Sequence, residues 1–260
     1  MKKMILWATL ALMTMTYAQA STSTKKETVI SKEYNLTGFS GLKVNHAVIV
    51  HYTQANEYSV KVEATEEQLK ELKVEVSNGL LVISHEKQKK DGNNKTLTFY
   101  ISSPDMNHID NKGVLTFETE RLKTNDFSLQ SNGVLRIDVS NLNCTDAEFN
   151  LKGVSKLDIQ MEAKTLKMND KGVTNGDIEV KADQLDVNSE GVDNIDIKFK
   201  GKEAKVKKSG TGTISLEVDC QHLEATNSGV GKIVVSGTAD DTSIQNSGVT
   251  KIDVSKLNKF

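Results

Sequence analysis

Asn246-Ser247-Gly248-Val249-Thr250-Lys251-Ile252-Asp253-Val254 decides the fold, because nearly the same words stand nineteen residues earlier as Asn227-Ser228-Gly229-Val230-Gly231-Lys232-Ile233-Val234-Val235. The glycine of this motif recurs at Gly113, Gly133, Gly153, Gly172, Gly191, Gly210, Gly229 and Gly248, and subtraction gives steps of 20, 20, 19, 19, 19, 19 and 19. A fixed period over many copies means a solenoid, and it outranks any residue-by-residue reading.

Each copy carries two period-two runs. Four residues after the glycine come Phe117, Ile137, Leu157, Gly176, Ile195, Ile214, Ile233 and Ile252; six after come Thr119, Val139, Ile159, Ile178, Ile197, Leu216, Val235 and Val254. A polar residue usually separates the pair, which is the pattern of a strand with one buried face. A second run precedes the glycine, with Leu129, Phe149, Met168 and Val187 four residues back. Two short strands and two turns fill the period. A helix plus a strand would need about 25–30 residues.

Equivalent positions one period apart point the same way, so like stacks on like. The expectation is an all-β, right-handed parallel β-helix whose coils of 19–20 residues pair at about 4.8 Å. The glycine suits a turn needing positive φ or a close coil-to-coil approach. The valine after it is expected to re-enter the core.

Before Gly113 the period is missing, but strand signals are dense: 28–34, 42–53, 58–64, 72–77, 80–85 and 96–102. Asn78-Gly79 between two alternating runs predicts a hairpin. Residues 66–72 predict one helical turn, and 88–95 (QKKDGNNK) a charged surface loop. An open solenoid end exposes core and strand edges. Residues 28–110 are therefore expected to form N-terminal strands and a partly antiparallel cap, continuous with coils over 111–260 in one domain, 28–260.

Residues 1–20 have the form of a secretory signal peptide: Lys2 and Lys3, an apolar run from Ile5 to Tyr17, then Ala18-Gln19-Ala20. Residues 21–27 are a polar, mobile start. The apolar run is short for a bilayer span, and no later stretch could cross one. Export to the periplasm or the outer surface is expected. Without Lys2 and Lys3, 31 basic residues face 35 acidic ones, a net charge of −4. That balance argues against nucleic acid, which calls for a basic face. Cys144 and Cys220 fall about four coils apart, some 19 Å along the axis. A disulfide needs Cα atoms within about 7 Å, so two free thiols are expected.

These features resemble the family called putative auto-transporter adhesin, head GIN domain, over nearly the whole mature chain. The resemblance rests on Phe39-Ser40-Gly41-Leu42-Lys43-Val44, on Val48–Tyr52, on Asn78-Gly79-Leu80-Leu81-Val82-Ile83, and on the Ser-Gly-Val coils. Asn45-His46 stands where the family opening usually carries Ser-Gly. The resemblance implies a secreted bacterial β-helix and supplies no catalytic residues.

Five residues after successive glycines come Glu118, Asp138, Asp158, Asp177 and Asp196. Stacked in register, these acids would lie about 5 Å apart and repel. Nearby lysines (Lys152, Lys156, Lys171, Lys198) or a cation such as Ca2+ would offset that. The turns lack the Asp-rich loop of calcium-binding β-rolls. Asn150, Asn169 and Asn188 form an equivalent amide ladder. Cys220 and His222 would share a strand face, two ligands short of a zinc site. Tyr52, Tyr58 and Tyr100 are candidate recognition anchors.

The leading expectation is a non-catalytic, adhesin-like envelope protein binding a glycan or a cell-surface protein through a long face. The alternatives are a periplasmic structural scaffold and, third, a polysaccharide lyase or hydrolase. The acid ladder has the spacing for a glycosidase but no acid–base asymmetry.

Overall fold

The computed structural model describes residues 28–85 and 96–259. The expected signal peptide over 1–20, the start expected over 21–27, the loop expected over 88–95 and Phe260 lie outside the described residues. The N-terminal part contains β1 (Val29–Tyr34), β2 (Gly41–Val44), β3 (Ala47–Gln54), β4 (Ser59–Thr65), α1 (Glu66–Glu71), β5 (Leu72–Ser77), β6 (Leu80–His85), β7 (Leu97–Ser103), β8 (His108–Asn111) and β9 (Val114–Thr119). The coils continue with β10 (Leu122–Lys123), β11 (Asp126–Ser131), β12 (Val134–Asn143), β13 (Asp146–Leu151), β14 (Val154–Asp170), β15 (Val173–Ser189), β16 (Val192–Lys208), β17 (Thr211–Asn227), β18 (Lys232–Asn246) and β19 (Asp253–Lys259).

The fold is a parallel β-solenoid with a mixed sheet at its start. From β14 to β17 each coil is one 17-residue strand between glycine corners, where the sequence predicts two short ones. Pairing runs almost unbroken along the strand, from Val154↔Val173 to Asp170↔Ser189, with a gap only at Lys164.

The glycine corners are explained by crowding. At Gly153 a Cβ would stand 1.9 Å from the Gly133 carbonyl oxygen, and at Gly172 it would stand 2.1 Å from that of Gly153. None of the eight marker glycines has a positive φ, so close approach is the constraint. The corner amides continue the ladder: Val154 N–H donates to Gly133 O at 3.0 Å and Val173 N–H to Gly153 O at 2.9 Å.

The valines beside these glycines point outward, contrary to the expectation that they re-enter the core. Val114, Val134, Val154, Val173 and Val192 are 40–49% exposed and stack in register. Alternation continues through the corner, so the residue one after the glycine shares a face with the acid five after. The inward positions flanking the corner are two before and two after the glycine.

The N-terminal part is stacked out of chain order. β2 and β3 form a coil whose corner residue, His46, sits over Gly113; the predicted strand 42–53 is broken there. On one side this coil pairs in parallel with β8 and β9, on the other with β6 and β7. The later segment β6–β7 is thus the outer coil. β4 lies antiparallel between β7 and β1, and β5 antiparallel on β6, which gives the mixed sheet of the cap. Asn78 and Gly79 both take positive φ, 52° and 75°, as the tight β5–β6 hairpin requires. Thr65 caps α1, with Gln68 completing a reciprocal capping box.

Candidate functional site

Register brings two sets of predicted residues onto one outward column. Tyr100 of β7 pairs with His51 of β3, and His51 pairs with Glu118 of β9. Glu118, Asp138, Asp158, Asp177 and Asp196 then follow on successive coils. The acid ladder therefore begins at an aromatic pair. The His51 and Tyr100 rings stack, with centroids 5.3 Å apart and planes 25° from parallel. Tyr100 is 41% exposed, and Lys61 Nζ lies 5.8 Å over its ring. His51 Nδ1 lies 3.1 Å from Glu118 Oε2. Beside this junction an open groove of about 1150 Å³ is lined by His51, Gln54, Glu118, Arg121, Asp138 and Asn141, among others.

The other two tyrosines do not join it. Tyr52 is corrected to a core residue: it is 3% exposed, and its hydroxyl donates to Ser103 O at 3.0 Å. Burial pushes that phenol up to about 12. It follows His51, and alternation sends the two side chains to opposite faces. Tyr58 is half-buried against Phe39, ring edge to ring face at 5.0 Å.

Of the lysines expected to screen the ladder, Lys171 instead pairs with Glu190 of the next coil at 3.1 Å. Among the described residues, no group of three or more His, Cys, Asp or Glu side chains stands together as a metal site would require. The ladder is a line of carboxylates on a flat face, which approaches a cation from one side only.

Cys144 and Cys220 are free and buried, as the spacing predicts, and burial pushes both thiols up to about 11. Cys220 and His222 do not share a face, which corrects the sequence reading. Cys220 is buried, whereas His222 is exposed 3.5 Å from Asp241 at a corner where two consecutive residues, Gln221 and His222, face out. The amide ladder is present, with Asn169 donating to Asn150 at 3.1 Å. His46 packs on His85, centroids 3.9 Å apart, and burial together with the His85 charge lowers it to about 4.

A second concentration of polar groups lies inside the solenoid, on inward positions where the repeat predicts apolar residues. Two positions after the glycine, Leu115 and Leu135 give way to Ser155, Thr174 and Asp193; two before it the column runs Asn111, Ser131, Leu151, Asp170, Ser189 and Lys208, apolar only at Leu151. These polar residues are at most 1% exposed. Lys208 Nζ lies 2.5 Å from Asp193 Oδ2 and 3.3 Å from Ser189 Oγ, and Ser189 also hydrogen-bonds Asp193. Asp170 Oδ1 accepts the Gly172 N–H at 3.0 Å. Burial, then contact with the Asp193 carboxyl, raises Asp170 to about 7. The signal was available: a charged residue at an inward position of a periodic pattern is the anomaly to look for.

The sequence matches the family described as putative auto-transporter adhesin, head GIN domain, over residues 38–198 and 178–259, and the chain belongs to that family. Solved structures share the fold. A putative adhesin from Bacteroides fragilis is 22% identical, with 90% of this chain and 97% of that one covered and a TM-score of 0.64. A putative lipid binding protein from Parabacteroides distasonis is 20% identical, with 89% and 96% covered and a TM-score of 0.63. A putative adhesin from the same species is 16% identical, with 90% and 98% covered and a TM-score of 0.56. No curated protein matches the sequence.

Proposed function

We propose that this head GIN family member is an exported, non-catalytic, adhesin-like protein of the cell envelope that binds a neutral or amine-bearing polysaccharide along the column from Tyr100 to Asp196. The observation that carries the reading is the junction of a stacked, exposed aromatic pair with an in-register file of carboxylates. Aromatic faces take sugar rings, and carboxylates accept hydrogen bonds from hydroxyls. The coil step of about 4.8 Å offers one carboxylate at each step to an extended, repeating chain. Like charge along the file disfavours an acidic glycan. Residues 1–20 support export, and the family name supports adhesion.

The test is binding to a panel of immobilised neutral, amine-bearing and acidic polysaccharides. A neutral or amine-bearing glycan should be retained, and folded Tyr100→Ala should lose at least tenfold in affinity. A folded wild type that binds none of the panel overturns the reading and leaves the structural scaffold in its place.

The valine column favours a second reading. Five in-register valines form an exposed apolar strip on the sheet face, which suits a lipid chain. The name of one structural neighbour points the same way. Vesicle flotation that is lost in Val154→Asn/Val173→Asn, but not in Tyr100→Ala, would select it.

A further inference from the structure

We propose that Lys208 and Asp193 join through an intramolecular isopeptide bond inside the solenoid, with Asp170 as the carboxyl that moves the protons.

Lys208 Nζ and the Asp193 carboxylate are in contact at 2.5 Å, and both side chains are completely excluded from solvent. Reactants held together in this way convert a bimolecular condensation into an intramolecular one. The site is built for the lysine. Gly231 leaves room for its stem, because a Cβ there would stand 2.2 Å from Lys208 Cε. Ser189, stacked between Asp170 and Lys208 in one inward column, holds both the Lys208 amine and the Asp193 carboxylate. Asp193 stands in the facing column.

A second carboxyl lies beside the pair. Asp170 lies beside Asp193 and the Thr174 hydroxyl, yet Asp170 Oδ2, Asp193 Oδ1 and Thr174 Oγ1 are all buried without a hydrogen-bond partner. A proton held between the carboxyls satisfies both, and it is the group that acid–base catalysis of this condensation needs.

The step balances without a co-reactant. The Lys208 ammonium gives one proton to the Asp193 carboxylate it touches, and neutral Nζ attacks Cγ of the resulting acid while protonated Asp170 donates to the other carboxyl oxygen. The tetrahedral adduct returns its extra nitrogen proton to Asp170. Asp170 passes that proton to one hydroxyl as the Cγ–O bond breaks and water leaves, and takes up the proton of the other hydroxyl as the carbonyl re-forms. Ammonium and carboxylate become an amide and one water, and Asp170 ends as it began. Two desolvated charges, costly to hold in a core, disappear. The amide would tie the two ends of one coil, β16, across fifteen residues of sequence.

Trypsin digestion of the unfolded, purified full chain followed by mass spectrometry tests this. Trypsin does not cut after an acylated lysine. The expected product joins residues 182–198 to a peptide that runs through Lys208 to 232, one water lighter than the sum of the two. Lys208→Arg, which keeps the charge, should give only unlinked peptides. Asp170→Asn, shown folded by circular dichroism, should retain the unlinked form at tenfold or greater excess over wild type. A folded wild type that yields a free 182–198 peptide and normal cleavage after Lys208 overturns the proposal. An Asp170→Asn protein as fully linked as wild type overturns the role given to Asp170.

Discussion

The coils built on Gly113 and Gly133 and those built on Gly172 and Gly191 share the glycine corner and its ladder and differ in what stands in the column two residues after the glycine. In the earlier pair, Leu115 and Leu135 fill the corner beside the glycine; in the later pair, Thr174 and Asp193 stand in the same column. At the corner the register passes from one type to the other without a slip, through Leu135↔Ser155↔Thr174; the one-residue slip between these coils comes later, between Val139 and Leu142. The difference teaches that the ladder and the glycine corners hold the shape. The side chains inside are freer to vary than in a fold whose shape comes from side-chain packing alone.

The largest expected effect breaks what the two kinds of coil share. Gly153→Val places a Cβ within 1.9 Å of a carbonyl oxygen, and Gly191→Val within 2.2 Å. Each should cost about 3 kcal/mol or more, or abolish soluble expression, because a backbone contact cannot move aside. Urea denaturation of both checks it. If one variant is tolerated and the other is not, the two regions do not rest on the same corner.

The next effect separates the two regions within one column. Leu135→Ala should cost about 2–5 kcal/mol through lost burial and a cavity. Ser155→Ala, one coil on, should be neutral or slightly stabilising, since Ser155 Oγ is buried without a partner. Equal losses in paired melts would show that the polar interior is as tightly specified as the apolar one.

The smallest effect is a slope with pH. The Asp170 carboxyl is held up to about 7 from an ordinary 3.8, chiefly by burial. Between those values the folded chain binds a proton that the unfolded chain has released, so stability falls as pH rises from about 4 to 7 and then levels. Its neighbour in the column, Leu151, cannot titrate. Asp170→Asn should flatten this contribution, as stability curves at several pH values would show. An unchanged slope would move the titration elsewhere.

Much of this was legible in the sequence. The period named the solenoid, and alternation placed Phe117, Ile137 and Leu157 inside and the acids outside. Spacing kept Cys144 and Cys220 apart. Residue type alone makes Tyr52 an anchor, but His51 beside it faces outward and alternation sends Tyr52 into the core. The valines face outward because the ladder carries the alternation through the corner.

The sequence by itself determined the repeat, its columns and the chemistry on each, because identical backbones stacked at a fixed period leave each position one place to point. Only the tertiary structure decided that β6–β7 lies outside β2–β3, that Tyr100 and His51 head the acid file, and that Asp170, Asp193 and Lys208 meet. Those contacts depend on which segments close on one another in space and on how tightly the corner folds two inward columns together. Neither is a property of any single stretch of chain.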